Sequence, residues 1–79
     1  MKYVYILRSE ISGERHYVGC TIDLKKRVSE HNSGQSAHTR KFAPWMLLNY
    51  IAFTDHAKAD KFEAYLKSGS GRAFTKRHF

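Results

Sequence analysis

Two short runs of aromatic and β-branched residues, 2–8 (KYVYILR) and 16–20 (HYVGC), are separated by seven residues with a Ser–Gly pair at their centre. Such runs favour pleated strands, and Ser–Gly marks a turn between them. The first twenty residues therefore read as a β-hairpin. Alternation sets Tyr3, Tyr5 and Leu7 on one face of the first strand and Val4 and Ile6 on the other.

The period then changes. In residues 21–34 (TIDLKKRVSEHNSG), Leu24 and Val28 stand four apart with Ile22 just ahead, and polar residues fill the rest. That pattern is a helix with one narrow apolar stripe, capped by Thr21 or Asp23 and ended by Gly34. Residues 35–44 (QSAHTRKFAP) have no period, and Pro44 argues against a helix, so they read as a basic loop. The most apolar stretch, 45–53 (WMLLNYIAF), reads as a buried strand. Thr54 or Asp55 can cap a second helix over 56–67, where Ala59, Phe62 and Leu66 fall at i, i+3 and i+7. Residues 68–71 (SGSG) are expected to break it, and 72–79 to form a last short helix. The order is β-β-α-β-α-α, an α+β class, in one domain spanning 1–79.

A chain of 79 residues holds a single core. Cys20 is its only cysteine, so no internal disulfide can staple it, and a reducing, cytoplasmic setting is expected. Five Tyr, five Phe and one Trp supply the buried area instead. The longest apolar run near the start falls far short of a membrane span or a signal segment. Charge is the informative bulk property. Fourteen Lys and Arg against seven Asp and Glu give a net charge of +7, which should attract polyanions such as nucleic acid.

Singly, the polar residues have ordinary explanations: Tyr5 and Tyr17 as packing, Arg27 as a surface charge, Glu63 as an i+4 partner of Lys67. Their spacing says more. Arg27 and His31 stand four apart on one helix, joining a permanent cation to an imidazole that can move a proton. Glu63, on a different helix, is a carboxylate of the kind that holds Mg²⁺. These are the parts of one-metal phosphodiester hydrolysis. Cys20 reads as a small buried hydrophobe. The five histidines show no zinc-ligand spacing.

The residues in order resemble the GIY-YIG nuclease superfamily, in particular its small stand-alone bacterial members. Val4-Tyr5-Ile6 is similar to the first signature, with Val for the usual Gly, and Tyr17-Val18-Gly19 to the second. Arg27 and His31 match the arginine and His/Tyr positions of the family's first helix, Trp45 opens the third strand, and Glu63 matches the metal-binding glutamate. The resemblance covers nearly the whole chain. It implies a three-stranded antiparallel sheet flanked by helices, with both tyrosines exposed at a groove. It implies one Mg²⁺ or Mn²⁺ on Glu63, Arg27 stabilising the transition-state charge, and water activated through the Tyr5/Tyr17 pair jointly, with His31 assisting.

Several family members carry an Asn beyond the glutamate, whereas this chain has none after Asn49; Ser68, Ser70 and Thr75 are the substitutes in range. Phosphate contacts are expected from Lys25, Lys26, His38, Arg40, Lys41, Arg72, Lys76 and Arg77. The implied function is a metal-dependent endonuclease on DNA, structure-selective or of low specificity. Branched or damaged DNA are candidate substrates, RNA stays open, and a protein partner could supply specificity. The competing reading is a binding module of the same fold with little turnover.

Overall fold

The computed structural model describes residues 1–79. Strand β1 (Lys2–Ser9) lies at the centre of a three-stranded sheet of order β2-β1-β3, antiparallel to both β2 (His16–Thr21) and β3 (Trp45–Phe53). Tyr5 faces Gly19 on one side and Tyr50 on the other, and the register against β3 slips once between Ile6 and Leu7. Helix α1 (Leu24–Asn32) covers one sheet face, while α2 (His56–Lys67) and α3 (Gly69–His78) cover the other. The expected α+β class and element order are both present.

The alternation along β1 sorts the molecule into two cores. Val4 and Ile6 pack with Ala59 and Leu66 of α2, joined by Phe62 and Phe74. Tyr5 and Leu7 pack with Trp45 under Leu24 and Val28 of α1. Each burial removes apolar area from water at about 25 cal/mol per Å². With no disulfide, this two-sided burial holds the sheet.

The helix ends resolve alternatives that the sequence left open. Of the two caps offered for α1, Asp23 is the one used: its carboxylate accepts from the Lys26 amide at 3.1 Å and the helix begins at Leu24. Asp55, not Thr54, caps α2 by accepting from the Ala57 and Lys58 amides. Residues 68–71 end α2 as expected, but the interruption is the single residue Ser68, and α3 begins at Gly69 rather than Arg72. Ser68 is extended (φ −76°, ψ 167°), closing α2 and capping α3, with its hydroxyl donating to the Tyr65 carbonyl and accepting from the Gly71 amide. Gly71 permits this corner, since a Cβ there would overlap the Tyr65 carbonyl and the Leu66 backbone. Within the basic loop, Arg40–Phe42 makes one 3₁₀ turn. No helix is long and apolar enough to cross a membrane.

Candidate active site

Leu24, Val28 and His31 fall at i, i+4 and i+7 of α1, so the stripe that seats the helix carries His31 down onto the sheet. There its Nε2 lies 2.8 Å from the Tyr5 hydroxyl, and its Nδ1 lies 2.6 Å from the Thr39 hydroxyl. The Thr39 carbonyl accepts from the Trp45 indole at 2.8 Å, tying the loop to β3. The Asn32 side chain brackets the Trp45 backbone, accepting from its amide and donating to its carbonyl. Tyr5 (1 % exposed), His31 (0 %) and Thr39 (0 %) form one buried polar line. Tyr5 is therefore not exposed at a groove as expected; Tyr17 is the half-buried member of the pair. The physical reason is that Tyr5 lies on the central strand beneath α1, whereas Tyr17 lies on an edge strand.

Burial sets the charge states. Desolvation pushes the Tyr5 phenol up to about 12, with the Arg27 guanidinium pulling it partly back. Desolvation, aided by the charge of Arg27, lowers His31 to about 4. At neutral pH both groups are uncharged. Arg27 forms an ion pair with Glu30 at 3.1 Å and keeps about a third of its side chain exposed.

Close approach at the second signature is enforced by Gly19. A Cβ at that position would fall within the Tyr5 phenol, 2.9 Å or less from its ring atoms. The Tyr17 ring then sits 4.9 Å from the His31 ring and 6.3 Å from the Tyr5 ring. Across the β2 edge, Lys67 Nζ stands 5.8 Å from the Tyr17 ring centroid and 3.1 Å from the Glu63 carboxylate. Glu63 shares its neighbourhood with Asp60 and Cys20, and one donor atom from each lies within 4.8 Å of the others. The two carboxylates offer the oxygen donors that Mg²⁺ or Mn²⁺ takes, whereas the Cys20 thiol is a soft donor held protonated by burial. Lys2, 2.6 Å from Asp60, and Lys67, 3.1 Å from Glu63, pair with those carboxylates.

A match to the GIY-YIG catalytic domain spans residues 1–77. This chain belongs to the GIY-YIG nuclease family. It is 40 % identical over 67 residues to a UPF0213 protein of Haloquadratum walsbyi, covering 84 % of this chain and 73 % of that one. It is 39 % identical over 72 residues to a UPF0213 protein of Streptococcus pyogenes serotype M5, covering 90 % and 76 %.

Four of the five GIY-YIG signature residues meet on one face of the sheet, and the fifth lies on the helix over the other. Tyr5, Tyr17, Arg27 and His31 come together on the α1 side, and Glu63 approaches from α2 through Lys67. The expected phosphate contacts do not form one patch. Lys25 and Lys26 lie on α1, and His38, Arg40 and Lys41 on the following loop, all exposed. Arg72, Lys76 and Arg77 lie on α3, over the opposite sheet face. The basic residues are therefore divided between the two faces of the sheet. Of the substitutes for the GIY-YIG asparagine, Ser68 caps two helix ends and Thr75 donates to the Gly71 carbonyl. Thr39 and Asp60 were missed in the sequence. Asp60 stands three residues before Glu63 and could have been read as sharing its face; Thr39, in an aperiodic loop, carried no local signal.

Proposed function

We propose that this chain hydrolyses phosphodiester bonds in DNA with one divalent ion, Mg²⁺ or Mn²⁺, held at Glu63 with Asp60 and Cys20 adjoining. The observation that carries this reading is the cluster of Tyr5, Tyr17, Arg27 and His31 in a GIY-YIG fold, with Lys67 linking the Tyr17 ring to Glu63. Bound there, the ion would polarise the phosphoryl group and stabilise the leaving oxygen. Arg27 offers a fixed positive charge to the phosphate in the transition state. Tyr17, half-buried beside His31 and Lys67, is the tyrosine with access to an attacking water, while buried Tyr5 keeps its proton at neutral pH. Basic side chains on α1, the 35–44 loop and α3 hold the backbone from either side.

The longest dimension of the fold is 31 Å, about nine base steps at 3.4 Å each. So small a footprint favours recognition by shape and phosphate, as in branched or damaged DNA, or delivery by a protein partner in the cytoplasm. Nicking of plasmid, branched and single-stranded DNA with each metal tests the reading, with RNA of matched sequence as the competing substrate. Undiminished cutting by Glu63→Ala and Arg27→Ala would overturn the residue roles. A binding module with little turnover is favoured by one observation: Ser68 and Thr75 are committed to helix hydrogen bonds, which leaves exposed Ser70 alone among the substitutes for the asparagine. That reading predicts salt-sensitive DNA binding and no cleavage with either metal.

A further inference from the structure

Helix α1 leaves part of its own sheet face bare. Leu24 and Val28 seat it against Tyr5 and Leu7. The same face continues into Tyr3, two residues before Tyr5 on β1, and into Tyr50, directly opposite Tyr5 on β3. An open groove of about 750 Å³ runs between these two rings and the start of α1. Leu24, Val28 and Leu47 line it within, and Ile22 and Lys25 lie on its helix side. Tyr3 and Tyr50 meet edge to face, with ring centroids 6.0 Å apart and planes at 69°, a geometry that aromatic pairs prefer. Tyr50 is nevertheless 55 % exposed, and Ile22 69 %. Single exposed apolar residues are ordinary, but a contiguous groove of them marks a binding surface.

Charge selects the occupant. Lys25 lines the groove, and Lys26 and Arg27 follow it on α1, whose first turn carries no acidic residue. Asp23 is the one acid at the groove, and its carboxylate is engaged in capping the helix. A second copy of the chain would bring a further charge of +7 to this surface, which opposes self-association and favours a polyanion. Every nucleobase has a flat π-face that stacks on tyrosine, while lysines track the phosphates. A paired base is already stacked inside its duplex; an unpaired one is free to enter the groove.

We infer that the groove between α1 and the Tyr3–Tyr50 pair is a stacking subsite for an unpaired DNA base, with Lys25 beside its phosphate. Because Tyr50 faces Tyr5 across the β1–β3 ladder, the subsite adjoins the Tyr5, Arg27 and His31 cluster. An unpaired segment held there would bring its own strand to that cluster. This consequence rests on the nuclease reading and names the feature of branched or damaged DNA that is selected; the stacking itself does not depend on cleavage.

Fluorescence anisotropy of end-labelled DNA tests the subsite, using the full chain with a chelator present so that nothing is cut. The probes are an oligothymidylate, an abasic oligomer of the same length, and a blunt duplex. The unaltered protein should bind the oligothymidylate more tightly than the abasic oligomer, which carries the same phosphates. Tyr50→Ala should weaken oligothymidylate binding roughly fivefold to a hundredfold, the loss that removing one stacked ring produces, and leave the abasic and duplex probes within about twofold. Tyr50→Phe keeps the π-face and should bind as the unaltered protein does. Tyr50 is exposed, so Tyr50→Ala should keep its urea midpoint. Equal affinity of the unaltered protein for the oligothymidylate and the abasic oligomer would overturn the inference, as would equal oligothymidylate binding by Tyr50→Ala. A dimer in sedimentation that Tyr50→Ala disperses would assign the groove to a second copy and also overturn it. Base-dependent binding without cleavage by the metal-loaded protein would overturn the nuclease reading and leave the stacking subsite standing.

Discussion

Acidification should unfold this protein through a single buried imidazole. His31 is enclosed between Tyr5 and Thr39, and burial, reinforced by Arg27, lowers it from 6.5 to about 4. The unfolded chain takes up a proton near 6.5, while the folded chain resists until about 4. Between those values the unfolded state binds more protons, so stability is complete above about 6.5 and is lost as pH falls toward 4. At 1.36 kcal/mol per pH unit the loss is about 3 kcal/mol, a large fraction of the roughly 5–15 kcal/mol typical of a domain. Urea unfolding at stepped pH should show this slope in the unaltered protein. It should be absent in His31→Gln, whose side chain cannot titrate. Asp60, depressed by its hydrogen bond from Lys2, contributes only at lower pH, as its carboxylate protonates below 3.8. The same slope in His31→Gln, or a His31 that titrates near 6.5 by NMR, would refute the reasoning.

Tyr5, raised from 10.0 to about 12 by burial, should lose its stabilising effect as pH climbs through that window; a phenolate absorbance titration should show one late-ionising tyrosine that Tyr5→Phe removes, and uniform ionisation near 10 would contradict it. Gly19→Ala should destabilise by about 1–3 kcal/mol in chemical denaturation, because the added methyl forces the packed Tyr5 ring aside; unchanged stability would show that the close approach is not enforced. Cys20 alkylation should slow when Mn²⁺ is added, and Glu63→Gln should remove that protection; rates indifferent to the metal would exclude the thiol from the ion's surroundings.

The fold was legible because its signals are local. Alternation in β1 named both cores, and the i, i+3, i+7 pattern placed Ala59 and Leu66 under the sheet. The interruption at Ser68 follows from the Ser–Gly pairs, but its brevity does not: one hydroxyl caps both neighbouring helices and Gly71 lets them touch. In the site, spacing paired Arg27 with His31 on one helix, and the family resemblance supplied Tyr5, Tyr17 and Glu63. Their depth could not be read. His31 is buried because it extends the Leu24–Val28 stripe by one turn, and Tyr5 because its strand is central, a fact of sheet order. Thr39 reaches His31 only through the path of an aperiodic loop.

Metal-dependent cleavage at Glu63 is tested by single-turnover nicking of supercoiled plasmid. The unaltered protein should nick with Mg²⁺ or Mn²⁺ and stop when the ion is chelated. Glu63→Gln should bind the same DNA with its nicking rate reduced by several orders of magnitude. Nicking that survives both chelation and Glu63→Gln, or none with either metal, would contradict the account.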